Sequence, residues 1–223
     1  MIKAEYVDHL GSDLTVVNSA RVSMDKESDW DFNPIANEQI LRAADVKLIS
    51  YLATHNHITP FTHPQITLRE TVPIFVARQR FKHVVGFTYN EVSRRYVDTP
   101  PGFYVPEEWR SRPEGSIKQG SGDVHMYTEV ISENYDWFIK QALALYTKMI
   151  TEGVAPEQAR MVLPQSMLTS YYVTGSLAAF ARAYCQRIDS HAQKEIQVLA
   201  RQWNTIISEH YPVSWSALIA NTY

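Results

Sequence analysis

The sequence of 223 residues lacks several features that would assign it to a specialised class of protein. It has one cysteine, Cys185, which excludes an internal disulfide framework and fits a reducing compartment. No run approaches the roughly 20 consecutive apolar residues of a membrane helix, and residues 1–6 lack the apolar stretch of a secretory signal. The formal net charge is −3, which argues against a protein that coats nucleic acid electrostatically.

The sequence does contain enough apolar side chains for one sizeable core, because 45% of its residues are hydrophobic and 12% are aromatic. Strand-like patterns occur at residues 2–7, 65–72 and 167–173. Helical patterns occur at residues 12–20, 37–53, 73–83, 127–149 and 156–162, and in two helices after residue 176. We therefore predict an α+β fold, a single helix-dominated domain over residues 1–223 with a small, mostly antiparallel sheet.

Local signals set the predicted helix ends. Asn37 is a plausible cap for the 37–53 helix, Pro73 suits the first helical position, and Ser190 with Gln193 has the spacing of a capping box. The apolar stripe of the 127–149 helix is interpreted as core. Residues 99–123, rich in Pro, Gly, Ser and charge, are predicted to form a long exposed loop, either a lid or a disordered insertion.

The densest polar cluster lies in residues 78–83 and 90–96. On a helix, Gln79 lies one turn before Lys82 and His83, so these three side chains would share a face. Guanidinium forks, an ammonium, a hydroxyl and an amide together suit a phosphate joined to a heterocycle. For the set as a whole we favour a ligand, because so many polar groups are costly to pack without one.

Two other interpretations of this cluster remain open. Its arginines could pair with Glu70 and Glu91 on a solvated edge. The chain could also be a nucleotide- or RNA-binding module, with Phe81, Phe87 and Tyr89 as stacking faces beside the basic side chains between Arg78 and Arg95. The negative net charge and the lack of a recognisable RNA-binding motif count against the module.

Three histidines, His55, His57 and His63, raise the alternative of a metal-dependent hydrolase, because His-x-His is a familiar ligand spacing. No Asp, Glu or Cys stands beside them in the sequence to complete or orient a metal site, so no metal is predicted. Cys185 lies in an apolar-periodic helix without a neighbouring general base, and we interpret it as an inert packed thiol.

A further cluster contains Arg182, Arg187, Asp189 and His191, with Arg160 distant in sequence. Arg187 is predicted at the C-terminal end of a helix, where the helix dipole favours a cation, and Asp189 could assist the next cap. A permanently charged arginine could also stabilise negative charge that develops on a substrate ring.

Six stretches spread over nearly the whole chain carry a resemblance to a known family. They are ARVS at 20–23, HITPF at 57–61, PIFVARQ at 73–79, NEVSRRY at 90–96, ARMVLP at 159–164 and RIDSHAQ at 187–193. Each stretch is weak alone, but together and in this order they are specific. The sequence resembles the flavin-dependent (alternative) thymidylate synthases.

The resemblance has two departures. The family's usual signature is an Arg-His-Arg triplet followed seven residues later by Ser-x-Arg, whereas this chain has Lys82-His83-Val84 and one extra residue before Ser93-Arg94-Arg95. The family's Asn-x-Arg is replaced by Ser176-Leu177-Ala178. We expect Arg182, about one helical turn beyond Ala178, to restore the lost cation. The chain is thus interpreted as a divergent branch of the family.

The resemblance implies roles for individual residues. The deoxyuridylate site would be lined by Gln79, Lys82, Glu91, Val92, Ser93, Arg94, Arg95 and Arg160. FAD would be held by Ser23, Thr59, Lys82, His83, Glu91, Ser176, Arg182 and His191. Arg187 would bind the uracil imide and stabilise its anionic form, which makes it the candidate catalytic residue.

The implied reaction converts dUMP to dTMP. In it, 5,10-methylenetetrahydrofolate donates the carbon and FAD reduced by NADPH donates the hydride, so the protein supplies orientation and charge stabilisation rather than a nucleophile. Members of the family are similar in being homotetramers whose sites are assembled from several subunits. We expect the same of this chain, acting in the cytoplasm on a small-molecule substrate.

Overall fold

A four-stranded antiparallel sheet organises the computed structural model, which describes residues 1–113 and 120–221. Its strands are β1 (Lys3–Leu10), β4 (Gln65–Pro73), β5 (Phe87–Glu91) and β6 (Leu168–Ser176), in the order β1-β4-β6-β5. A separate hairpin consists of β2 (Asp31–Asn33) and β3 (Glu38–Ile40). The predicted antiparallel sheet and its strands near residues 2–7, 65–72 and 167–173 are therefore confirmed.

Eight α-helices occur in the described part of the chain. They are α1 (Asp13–Arg21), α2 (Ala43–Thr54), α3 (Ile74–Arg80), α4 (Thr128–Thr151), α5 (Pro156–Ala159), α6 (Leu177–Ile188), α7 (Lys194–His210) and α8 (Pro212–Asn221). Short 3₁₀ turns cover Val22–Met24, Thr59–Thr62 and Arg160–Val162. The prediction of a helix-dominated α+β fold is confirmed. Among the described residues, no helix is both long and apolar enough to cross a membrane.

The core lies between the two central strands and the C-terminal helices. In β4 and β6 every second side chain is buried, as expected when one face of a sheet is covered. Helix α6 packs against α7 and α8 over this face, with Phe180, Trp203 and Trp215 among the largest fully buried side chains. One buried position of β4 is not apolar: Glu70 is completely enclosed.

Three predicted helix ends are wrong. Asn37 lies between β2 and β3 with a positive φ of 54°, so it turns a hairpin, and α2 begins six residues later with Arg42 at its N-cap. Pro73 stands at the N-cap of α3, which ends at Arg80 rather than His83. Gln193, not Ser190, occupies the N-cap of α7. At Asn37 the pairing of β2 with β3 outweighed the local signal.

The apolar stripe of α4 is also not the core element that its periodicity predicted. Only Ala142 and Tyr146 of this helix are buried, while Trp137 is 64% exposed and Leu145 48%. Helix α4 is amphipathic, but within one protomer its apolar face is largely uncovered. Helix α8 was not predicted separately, although Trp215 and Leu218 place it in the core.

The described part of the 99–123 segment is tied to the body of the protein. Phe103 forms an isolated bridge with Met167, and Arg110 forms one with Val124. The indole nitrogen of Trp109 donates to Ser132 of α4 at 3.1 Å. Residues 114–119, the middle of the predicted loop, lie outside the described residues.

A glycine brings the edge strand β5 close to β6. Gly175 pairs with Phe87, and a Cβ at Gly175 would lie 2.4 Å from Cδ1 of that ring. The ring therefore rests directly on the backbone of β6. This contact fixes the strand that leads into residues 91–95 of the candidate site.

We expect Gly175→Ala to lower the free energy of unfolding by about 1–3 kcal/mol, because the added methyl group would displace the Phe87 ring. Gly102→Ala is the matched control: its Cβ would meet Leu168 at an ordinary 3.4 Å, and we expect a change within about 0.5 kcal/mol. Urea unfolding of both variants measures the difference. Equal midpoints would contradict the proposed close approach.

Candidate active site

An open groove of about 850 Å³, here called the arginine groove, runs along the N-terminal end of β6 and the 3₁₀ turn after α5. Five of the predicted substrate residues line it: Glu91, Val92, Ser93, Arg94 and Arg160. Arg69 and Arg78 also line it, so four guanidinium groups face one cavity. Such a concentration of arginines suits a phosphate group.

Main-chain and side-chain hydrogen bonds hold the residues of this groove. The Val92 amide donates to the Ser170 carbonyl at 2.9 Å, which extends the pairing of β5 with β6 beyond Glu91. Thr169 donates its hydroxyl to Glu91 Oε1 at 2.7 Å. Nε of Arg160 donates to the Glu157 carbonyl at 3.2 Å. Hydrogen bonds within the chain thus hold both sides of the groove.

Four predicted substrate residues lie apart from the groove lining: Gln79 and Arg187 line a second cavity, described below, and Arg95 and Lys82 line neither. Arg95 pairs with Glu157 at 3.3 Å, with both side chains 55% exposed. Lys82 is exposed, whereas its neighbour His83 is buried. The expected shared face of Gln79, Lys82 and His83 does not form, because α3 ends at Arg80 and the chain turns.

A second cavity, the α6 cleft, has a volume of about 710 Å³ and lies at the C-terminal end of α6. Its lining includes Gln79, Arg187, Asp189, His191 and Gln193. Nε of Arg187 donates to His83 Nε2 at 2.8 Å, and Nη2 donates to the Gln79 carbonyl at 3.3 Å. Burial, and then the charge of Arg80, lower the pKa of Arg187 from its usual value. The arginine remains a cation.

His83 is uncharged in this environment. Burial of the ring, followed by the charges of Arg187, Arg80 and Arg182, lowers its pKa from 6.5 to about 4. A neutral imidazole has one nitrogen that can accept a hydrogen bond, and here Nε2 accepts from Arg187.

The predicted flavin residues are spread around this cleft and beyond it. Arg182 donates to the Val85 carbonyl at 2.6 Å, and His191 contacts Asp189 through Nδ1 at 2.9 Å. Ser176 is buried and its hydroxyl accepts from the Ala179 amide at 3.3 Å, so it caps α6. Ser23 and Thr59 are exposed on two 3₁₀ turns.

A buried ion pair next to the cleft was only partly anticipated. Arg80 and Glu70 are both fully enclosed, with Nε of Arg80 3.1 Å from Glu70 Oε2. Tyr171 donates to the same carboxylate oxygen at 2.6 Å, and Arg80 Nη1 donates to the Tyr89 hydroxyl at 2.6 Å. The alternative of a solvated edge is therefore wrong for Glu70, which pairs with an arginine in the interior, and Glu91 accepts from Thr169 instead. Glu70 alternates with Leu68 and Val72 on the buried face of β4. This position in the strand was the signal that could have revealed a buried pair.

This ion pair argues against the nucleic-acid-binding module. The guanidinium carbon of Arg80 lies 4.3 Å from the centre of the Phe87 ring and 5.2 Å from that of Tyr89. Phe81 packs edge-on against Tyr89 at 5.0 Å. All three proposed stacking rings are partly buried and pack against the core, which leaves them less available to stack on bases.

The remaining candidates for a reactive centre are the histidines His55, His57 and His63 and the thiol of Cys185. His55 packs on Tyr51 at 4.2 Å, and its ring centre is 6.4 Å from that of His57. In residues 1–113 and 120–221, no group of three His, Cys, Asp or Glu side chains is arranged to hold a metal ion. Burial raises the pKa of Cys185, whose thiol is 3.9 Å from the Ile219 carbonyl; the residue is partly buried and also lines the α6 cleft.

The sequence matches the family model described as "Thymidylate synthase complementing protein" over residues 5–213. Among curated relatives, the flavin-dependent thymidylate synthase of Thermotoga neapolitana is 33% identical over 219 residues, which cover 98% of this chain and 91% of the relative. The enzyme of the same name from Thermosipho melanesiensis is 35% identical over 218 residues, covering 97% and 90%. The similarity thus extends along the whole chain.

Solved structures show the same similarity in the fold. A UMP/dUMP methylase, PolB from Streptomyces cacaoi, bound with 5-Br dUMP, superposes with a TM-score of 0.83 at 29% identity, covering 99% of this chain and 95% of that chain. Its structure with 5-Br UMP gives a TM-score of 0.84 at 29% identity, covering 99% and 94%. The architecture of sheet and helices is therefore shared with these nucleotide-binding chains.

The low pKa of His83 makes the stability of the protein depend on pH. The unfolded ring binds a proton near pH 6.5 and the folded ring only near pH 4, so stability is lost as the pH falls through this window. We expect wild type to lose about 2 kcal/mol more than His83→Gln between pH 7.5 and 5. Urea unfolding at several pH values measures this, and parallel curves for the two proteins would contradict it.

Proposed function

This chain belongs to the flavin-dependent thymidylate synthase family, and we propose that it converts dUMP to dTMP as a single catalytic domain of residues 1–223 in the cytoplasm. FAD reduced by NADPH supplies the hydride, and 5,10-methylenetetrahydrofolate supplies the carbon of the new methyl group. The chain's own residues bind the nucleotide, orient its ring and stabilise its charge. No side-chain nucleophile is needed, which agrees with the raised pKa of the Cys185 thiol, since a raised pKa disfavours the reactive thiolate.

The observation that carries this proposal is the placement of Arg187. Its guanidinium is half-buried at the rim of the α6 cleft, where Gln79 and His83 fix two of its nitrogens. A fixed cation in a partly desolvated position interacts strongly with charge that develops on a bound ring. Arg187 would hold the imide edge of uracil and stabilise the anionic form, in which the ring carbon becomes nucleophilic.

The nucleotide phosphate is assigned to the arginine groove. Arg94 and Arg160 line it together with Ser93, whose hydroxyl and neighbouring main chain can add hydrogen bonds. Arg95 lies beside this group through its ion pair with Glu157, the residue whose carbonyl bonds Arg160. If Arg95 left Glu157 and paired with the phosphate instead, the Arg95 side chain would become part of the site.

The residues around the cleft fit a flavin dinucleotide. Three arginines act on His83 at once, so positive potential is concentrated where an anionic diphosphate or a reduced flavin would be favoured. Arg182 and His83 would supply donors for this group, with Ser176 able to donate its hydroxyl proton while it caps α6. Exposed Lys82, Ser23 and Thr59 would contact the outer parts of the cofactor, and Glu91 and His191 complete the proposed set.

We assign a homotetramer with shared sites to this chain. The arginine groove and the α6 cleft are separate cavities of one protomer, so a nucleotide site could be completed by a groove from one subunit and a cleft from another. The exposed apolar side chains of α4, including Trp137 and Phe138, support burial against a second copy.

Arg187→Ala is expected to lower turnover by about 100- to 1,000-fold, because the cation at the developing anion is lost. Tritium release from dUMP labelled at ring carbon 5 measures this with folate donor, FAD and NADPH, and with flavin omitted as the blank. The fold should persist by circular dichroism. Cys185→Ala, on the same helix, is the matched control and should retain nearly full activity. Near-normal turnover of Arg187→Ala would refute the assigned role.

Shared sites are tested by mixing two inactive variants, Arg187→Ala and Arg95→Ala. If a site takes Arg187 from one subunit and Arg95 from another, random assortment in co-expressed tetramers restores about a quarter of the sites. If both arginines come from one subunit, no mixed tetramer contains an intact site. Activity no higher than that of the separate variants would therefore exclude this division of the site.

A further inference from the structure

We propose that His83 is a positioning residue for Arg187: its neutral imidazole accepts the Arg187 Nε–H, and the buried Glu70–Arg80–Tyr89 network holds the main chain of His83 in place. This inference rests on the function proposed above, because it concerns how the candidate catalytic cation is aimed. It is separate from any contact that His83 makes with a flavin.

The hydrogen bonds of Arg187 define the plane of its guanidinium. Nε donates to His83 Nε2 at 2.8 Å, and Nη2 donates to the Gln79 carbonyl at 3.3 Å. A guanidinium is planar, so two fixed nitrogens determine the direction in which the third one points. Arg187 lines the α6 cleft, where this third nitrogen would meet a ligand.

This arrangement requires one protonation state of His83. Nε2 can accept from Arg187 only as a bare lone pair, so the ring must be neutral with its proton on Nδ1. The charges that act on the ring are Arg187 and Arg182 from α6 and Arg80 from α3, all of them cations, and burial acts in the same direction. The surroundings therefore keep the ring in the form that can orient Arg187.

The main chain of His83 is anchored from the interior. Tyr89 donates its hydroxyl to the His83 carbonyl at 2.7 Å, and that hydroxyl accepts from Arg80 Nη1 at 2.6 Å. Arg80 is in turn paired with Glu70, which also accepts from Tyr171. A chain of bonds therefore runs from the middle of β4 to the ring that holds Arg187. Small displacements at a reacting group cost much activity, so such support bears on catalysis.

The functional test compares two substitutions of His83. His83→Leu removes the acceptor, and we expect kcat/KM for dUMP to fall by about 10- to 100-fold at saturating FAD. His83→Gln can place Oε1 near the position of Nε2 and should lose much less. FAD loading is measured separately by visible absorbance. Two outcomes would overturn the inference: equal losses of kcat/KM in the two variants, or a loss in His83→Leu that is seen only below saturating FAD.

Tyr89→Phe tests the interior anchor, since it keeps the aromatic ring next to Arg80 and removes only the hydroxyl. We expect the FAD-saturated enzyme to show a lower kcat with little change in FAD affinity. An unchanged kcat in a folded Tyr89→Phe protein would show that the network does not support His83.

A spectroscopic measurement is independent of activity. In FAD-loaded protein with nitrogen-15-labelled histidine, the signals lost in His83→Gln identify His83. They should show a proton on Nδ1 and none on Nε2 from pH 8 to 5. In Arg187→Met the titration midpoint should rise, because one neighbouring cation is gone. A proton on Nε2, or ordinary titration near pH 6.5 in wild type, would refute the inference.

The two proposals fail in different ways. If wild type releases no tritium from dUMP but His83 has the predicted tautomer, the proposed function is wrong. If wild type is active and His83 carries its proton on Nε2, the positioning role is wrong and the function stands.

Discussion

The structure depends on a buried charge pair in an aromatic cage. Arg80 and Glu70 are fully enclosed, and Phe87, Phe180 and Trp203 surround the guanidinium with ring centres 4.3 to 5.4 Å away. Burying such a pair is costly, and breaking it by removing one partner is more costly still. The pair therefore constrains β4, α3 and the C-terminal helices together. It lies beside a cleft where Arg187 and Arg182 set a positive field.

That field explains why the candidate site combines cations with a neutral histidine. Several arginines close to one another repel, and each additional charge in a half-buried position is disfavoured. Here the repulsion is limited because Arg80 is neutralised by Glu70, while His83 gives up its proton instead of adding a further charge. The positive potential that remains at Arg187 and Arg182 is what an anionic ring and a diphosphate require.

The sequence predicted most of what depends on local periodicity. The strands of the sheet, the long helix α4 and the helix that carries Arg187 were found near their observed positions. Asn37 shows the limit, because the same residue type can cap a helix or turn a hairpin, and only the pairing of β2 with β3 decides. The exposed stripe of α4 shows another: periodicity identifies an apolar face but not whether the same chain covers it.

For the site, the sequence identified the chemistry better than the geometry. Motif matching grouped Lys82 with His83, yet the chain turns after Arg80 and places them in opposite environments. The surroundings of Val84 show a contact that the linear motif does not indicate. Arg182 of α6 donates to the carbonyl of the adjacent Val85 at 2.6 Å, so a guanidinium stands beside the turn that contains Val84. A segment distant in the sequence thus places a cation at this turn, and the field that an anion would meet there depends on the position of the cation and not on the segment that carries it.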